Sequence, residues 1–255
     1  MPRIPSNYLE CVFYVYPTRK DAETREKVGG TGFFVAVPLE NSSLLRLFAV
    51  TNSHVAGRGR AIRVNSSGGT EVIDVELGAW THHPDGDDLA AVEIGEPAPL
   101  LRFVALTPSL FVTDEKIAEL NVGPGDDTFS IGRLITIDGR QENSPMVRFG
   151  SIAMMPDKPI RQQLRSFDQL SYLVESRSLS GFSGSPVFLH IPPFSYRFRT
   201  GNFEDNEGIS PTTHLMLLGV VWGSIKVGDE VIQGINSGVM AVVPASKLAS
   251  LLSAL

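Results

Sequence analysis

Few residues in this chain could do chemistry together. Ser183 stands in Ser180-Gly181-Phe182-Ser183-Gly184-Ser185-Pro186, where flanking glycines let the backbone turn sharply and present the hydroxyl, with the amides of Gly181 and Ser183 facing the same way. Such a serine reads as a nucleophile with an oxyanion hole. The same letters also suit a plain Gly/Ser turn between strands. A serine hydroxyl needs a base at neutral pH, and the base needs an orienting carboxylate. His54 follows the apolar run 44–51 on the turn-forming stretch Asn52-Ser53-His54-Val55-Ala56-Gly57, where a core can hold it while it faces a cleft. Asp88 opens Leu89-Ala90-Ala91-Val92-Glu93-Ile94, where burial of its neighbours constrains its carboxylate.

The elements that must position these three residues read mostly as short strands at hairpin spacing. Strand patterns occupy residues 9–16, 32–37, 44–51, 60–64, 71–79, 89–94, 128–134, 135–139, 146–154, 169–176, 186–191, 215–222 and 238–243. The charged segment 19–27 reads as a loop, and residues 114–120 as a short helix or a loop. Residues 192–214, with four aromatics among charges and glycines, read as an irregular cap that could also dock a partner. Pro244 followed by leucines at helical spacing marks a terminal helix over 244–255.

Composition excludes several classes of function. The chain has 255 residues, a formal net charge of −6 and no Lys/Arg cluster, so a nucleic-acid partner is not expected. Cys11 is the one cysteine, which rules out an intrachain disulfide and cysteine-held zinc. His82-His83-Pro84-Asp85-Gly86-Asp87 is a paired-His acidic loop lacking a convincing set of further ligands, so no metal and no cofactor are expected. The N-terminus lacks a secretory pattern and the longest apolar run, 215–222, is far too short to span a bilayer; a cytoplasmic protein without a membrane partner is the expectation.

His54, Asp88 and Ser183 occur in that chain order, each at the edge of an apolar strand. Thr51-Asn52-Ser53-His54-Val55, Asp88-Leu89-Ala90-Ala91-Val92 and Gly181-Phe182-Ser183-Gly184-Ser185-Pro186 resemble the three blocks of trypsin/chymotrypsin-like serine proteases, especially the disulfide-free bacterial branch of HtrA type. Gly30-Thr31-Gly32-Phe33-Phe34-Val35, Val122-Gly123-Pro124-Gly125-Asp126, Val221-Trp222-Gly223 and Gly238-Val239-Met240-Ala241-Val242-Val243-Pro244 extend the likeness over most of the chain.

The resemblance implies an all-β fold of two packed six-stranded antiparallel barrels: residues 1–108 carrying His54 and Asp88, a connection over 109–124, residues 125–243 carrying Ser183, and the terminal helix. It implies a serine endopeptidase acting on polypeptides through a His54/Asp88/Ser183 triad and a Gly181/Ser183 oxyanion hole, with no PDZ-like domain following. A catalytically silent module that binds peptides or protein partners, and an esterase on the same fold, are the alternatives.

Two positions depart from the family pattern. Phe182 replaces the usual aspartate or asparagine, so an activation ion pair of the trypsin kind is unavailable, and the Lys27-Val28-Gly29-Gly30 likeness to a zymogen cleavage site is read instead as a glycine-rich strand entry. Val221 replaces a serine that often supports the aspartate. The resemblance also places Arg177, Ser178, Val221, Trp222, Gly223 and Gly238 around the substrate. Arg177 there would favour an acidic P1 side chain if it pointed inward, and a small or apolar one if it pointed to solvent.

Overall fold

The computed structural model describes residues 3–27, 29–39, 42–134, 139, 141–162, 165–176, 181–198, 206–208, 212–226 and 236–255. In the N-terminal half, β1 (Val12–Tyr16), β2 (Gly30–Pro38), β3 (Leu45–Thr51), β4 (Ala61–Ser66), β5 (Gly69–Asp74), β6 (Thr81–His82), β7 (Ala90–Ile94) and β8 (Ala105–Leu106) form one eight-stranded sheet. Its order is β5-β4-β1-β2-β3-β7-β6, with β8 added parallel to β2. The all-β class read from the sequence holds, but among the described residues this half has eight strands where six were expected. The extra strands are two-residue pieces, too short to carry an alternating pattern.

The C-terminal half closes as a six-stranded barrel. It comprises β9 (Asp127–Gly132), β10 (Met146–Met154), β13 (Tyr172–Glu175), β14 (Pro186–Ile191), β17 (His214–Lys226) and β18 (Asn236–Pro244), in the order β10-β13-β18-β17-β14-β9. Two antiparallel hairpins lie outside it: β11 (Pro159–Gln162) with β12 (Phe167–Leu170), and β15 (Tyr196–Phe198) with β16 (Asn206–Gly208). The second corrects the reading of 192–214 as wholly irregular. The first was read only at its C-terminal edge, within the stretch 169–176.

Among the described residues, four short α-helices complete the fold: α1 (Arg19–Thr24), α2 (Ser53–Ala56), α3 (Asp114–Glu119) and α4 (Ala245–Ser253). Helix α1 corrects the loop expected over 19–27. Thr18 caps it, its hydroxyl oxygen accepting from the Asp21 amide at 3.0 Å and its hydroxyl donating to the Asp21 carboxylate at 2.6 Å.

Strand β1 shows why the halves cannot separate cleanly. Its odd residues Phe13 and Val15 enter the N-terminal core, while Tyr14 and Tyr16 on the other face receive the buried Arg133 guanidinium from the end of β9, 5.1 and 4.7 Å from the ring centroids. A further apolar cluster runs through both halves, joining Phe33, Val35, Phe48 and Val50 to Phe111, Phe129, Phe188 and Leu217. Helix α4 seals its end with Ala245, Leu248, Leu251 and Leu252, spaced to share one face. Leu248 is fully buried there, so Leu248→Ala should lower unfolding free energy by about 2–5 kcal/mol, read from urea denaturation followed by circular dichroism.

Candidate active site

His54 and Asp88 are aligned by two polar residues that the sequence reading took only as turn formers. Helix α2 begins immediately after β3, and the Asn52 side-chain amide donates to the Asp88 carbonyl at 2.8 Å while the Ser53 hydroxyl donates to the Leu89 carbonyl at 2.8 Å. These bonds tie the start of α2 to the segment entering β7. His54 thereby meets Asp88 twice: its backbone N–H donates to Asp88 Oδ1 at 3.1 Å, and its ring Nδ1 lies 2.7 Å from Oδ2. With Nδ1 donating, Nε2 is left as the acceptor that a general base requires.

Asp88 is 0% exposed. A buried carboxylate must be hydrogen-bonded or paired, and here the partners come from both halves. The Gln162 amide at the end of β11 donates to Oδ2 at 2.6 Å, and the Arg165 guanidinium lies 3.4 Å from Oδ1. From β12, Gln169 Oε1 accepts from the Asp88 backbone N–H at 2.8 Å and its amide nitrogen donates to Asp87 Oδ1 at 2.6 Å. The hydrogen bond that Val221 cannot supply is thus made from the β11–β12 hairpin. No spacing rule marks two glutamines seven residues apart as partners of a distant aspartate.

Burial pushes the Asp88 carboxyl up, but the hydrogen bond and charge of His54, the Gln162 amide and the His54 backbone N–H together hold it below its ordinary value. A carboxyl depressed on folding contributes stability that is present above its unfolded value of about 4 and lost as pH falls through the folded one. Urea stability should therefore decline below pH 4 more steeply in the wild type than in Asp88→Asn, compared by titrating both proteins between pH 6 and 2 (a range of roughly 4 units about that value).

The loop carrying Ser183 is strapped to the N-terminal half. The Ser183 carbonyl accepts from the Thr31 amide at 2.9 Å, and the Thr31 hydroxyl donates to the Gly181 carbonyl at 3.0 Å while accepting from the Arg133 amide at 3.0 Å. Gly181 and Gly184 have φ of +102° and +85°. Only glycine suits position 184, where a Cβ would fall 1.9 Å from the Thr31 carbonyl oxygen.

Phe182 is buried in the C-terminal core under the Arg148 guanidinium, 4.9 Å from the ring centroid. Among the described residues, the Gly181 and Ser183 amides donate to no carbonyl or side chain. The Ser183 hydroxyl lies 3.5 Å from the Trp222 carbonyl, and no hydrogen bond joins it to His54. Thr31 is fully buried with both hydroxyl bonds made, so Thr31→Val should cost about 1–3 kcal/mol in thermal or urea unfolding by orphaning them.

The remaining expected site residues fall in different places. Val221 is buried, its amide donating to the Ser185 carbonyl and its carbonyl accepting from the Gly184 amide, both within 2.9 Å. Trp222 sits in a bulge of β17 between Val221 and Gly223, its indole N–H donating to the Ser171 hydroxyl at 2.8 Å. Gly238, with φ of +77°, accepts from the Ser176 amide. Arg177 and Ser178 lie outside the described residues, as does Val28. His83, Asp85 and Asp87 bring ligand atoms within 4.8 Å of one another, but Lys247 from α4 places its ammonium 3.1 Å from Asp87 Oδ2 and supplies the counter-charge.

A profile for the trypsin-like peptidase domain matches residues 30–190. The chain belongs to the trypsin-like peptidase family. Its fold is similar to the apo protease domain of MamO from Magnetospirillum magneticum, with a TM-score of 0.58 at 17% identity over 96% of this chain and 97% of that one. It is also similar to the inactive form of a serine-to-alanine mutant of Rv3671c from M. tuberculosis H37Rv, with a TM-score of 0.50 at 15% identity over 96% and 86% of the two chains. The HtrA-type protease AlgW with a bound decapeptide aligns at a TM-score of 0.49 and 15% identity, over 89% of this chain and 51% of that one. No curated protein sequence matches the chain. Among the described residues, no helix is long and apolar enough to cross a membrane.

Proposed function

We propose that this protein is a serine endopeptidase acting on polypeptide substrates. The observation that carries the reading is the doubly bonded His54–Asp88 pair, with ring Nε2 left as acceptor and Ser183 tethered through Thr31 to the same half. Ser183 Oγ attacks the scissile carbonyl while His54 Nε2 takes its proton, and the imidazolium that forms is stabilised by Asp88. The Gly181 and Ser183 amides receive the developing oxyanion, each such donor contributing about 3 kcal/mol to the transition state. His54 then returns the proton to the leaving amine, and water repeats the sequence on the acyl-enzyme. The long contact to the Trp222 carbonyl holds the Ser183 hydroxyl weakly, and catalytic hydrogen bonds commonly close only with substrate in place.

That same contact favours a second reading, in which the resting protein is latent and a peptide or protein partner turns Ser183 toward His54. A fluorophosphonate probe applied with and without peptide ligands tests both. The wild type should label, while Ser183→Ala and His54→Ala should not, and Asp88→Asn should turn over peptide about 10⁴-fold more slowly because His54 loses its tautomer. Labelling that requires an added peptide would select the latent form; a folded protein unlabelled under every condition would sink both.

A further inference from the structure

We propose that the β11–β12 hairpin is a positioning element of the triad, in which Gln162 and Arg165 hold the Asp88 carboxylate and through it keep His54 in the orientation and tautomer of a base. This rests on the protease reading above. Asp88 Oδ2 is shared between two donors at nearly equal range, His54 Nδ1 at 2.7 Å and Gln162 Nε2 at 2.6 Å. Gln162 is 3% exposed, so its amide hydrogen is committed to a dry bond. Arg165 works differently. At 3.4 Å from Oδ1 it forms an ion pair and not a hydrogen bond, and it acts through charge.

The hairpin is seated where it can do this. The Phe167 ring lies against Gly86, where a Cβ would come within 3.0 Å of the ring, and Gln169 bonds the backbone of Asp88 and the side chain of Asp87. The guanidinium of Arg165 also lies 5.7 Å from the centroid of the Phe167 ring, which fixes its direction.

Charges on the surrounding elements do not duplicate the effect. Asp87 is turned to Lys247 of α4, to His83 and to Gln169. Asp85 is exposed, and His82 faces the Ser53 hydroxyl at 2.9 Å. On the outer face of the hairpin Arg161 pairs with Asp168 at 3.1 Å. The nucleophile segment 181–186 carries no charged side chain. Among the described residues, Arg165 is therefore the cationic side chain paired with Asp88. With the Gln162 amide on Oδ2, it keeps both carboxylate oxygens toward the His54 ring and backbone N–H.

The test uses the full chain in a Ser183→Ala background, where no turnover intervenes, and reads the His54 tautomer by nitrogen-15 NMR. The wild-type ring should carry its proton on Nδ1; Arg165→Met and Gln162→Leu should each weaken that signature, whereas Arg165→Lys, which keeps the charge, should stay near the wild type. With Ser183 restored, kcat for a peptide substrate should fall about tenfold in the first two variants while KM stays near the wild type. An unchanged tautomer and kcat in both variants, with only a lower Tm, would overturn the proposal and leave the hairpin a mechanical brace. Should Gln162→Leu fail to fold, Arg165→Met decides, since that side chain is 26% exposed. The two readings fail separately: an unlabelled wild type with an altered tautomer in the variants sinks the protease, and a labelled wild type with unaltered tautomer and kcat sinks the positioning role.

Discussion

A carboxylate with no solvent access stands at the junction of the two halves, and most of the site geometry follows from satisfying it. Burying an unpaired charge costs far more than a domain can spare, so the chain must bring donors to Asp88. Its own half supplies the His54 ring and backbone; the other half supplies Gln162, Arg165 and, at the backbone, Gln169. Satisfying this group therefore requires both halves in register. The apolar cluster that runs through both, from Phe33 to Phe188, gives the same junction a non-directional adhesion, while the polar contacts set its position.

The loop carrying Ser183 is held by a complementary logic. Where an acidic residue before the serine would demand an ion pair, Phe182 demands only apolar space and finds it in the C-terminal core with the Arg148 guanidinium above its ring. Burial of an aromatic ring does not titrate, so this anchor has no pH switch of its own. The other side of the loop is fixed by Thr31, whose hydroxyl bridges the Gly181 carbonyl and the Arg133 amide, and Arg133 in turn lies on Tyr14 and Tyr16. One threonine thus links both halves to the loop.

The strand-edge contexts of His54, Asp88 and Ser183 were legible because short motifs leave local marks: a histidine after an apolar strand, an aspartate before one, a serine between glycines. The sheet-rich class was legible for the same reason, since alternation and turn residues are local. What escaped was non-local or brief. Strands of two residues, such as β6 and β8, carry no period, and α1 was hidden in a charged run although Thr18 and Asp21 held its cap. Gln162, Arg165 and Gln169 gave no sign because their meaning arises only when a hairpin folds across seventy or more residues onto Asp88. Asn52 and Ser53 sat inside the histidine block and were read as turn formers, yet their side chains bracket the Asp88–Leu89 backbone.

These contacts divide motion unequally. His54 is fixed by a backbone bond, a ring bond and the two brackets at Asn52 and Ser53, so its ring has little freedom. The Ser183 backbone is equally fixed, through its carbonyl to Thr31 and through Gly184 to Val221. The loosest element is the Ser183 hydroxyl, resting at 3.5 Å from a carbonyl in the Trp222 bulge. The frame around that hydroxyl is already assembled, and a side-chain rotation is fast and small compared with any rearrangement of the halves. The freedom left in the site is thereby concentrated on one rotatable bond, next to the bulge of β17 at Trp222.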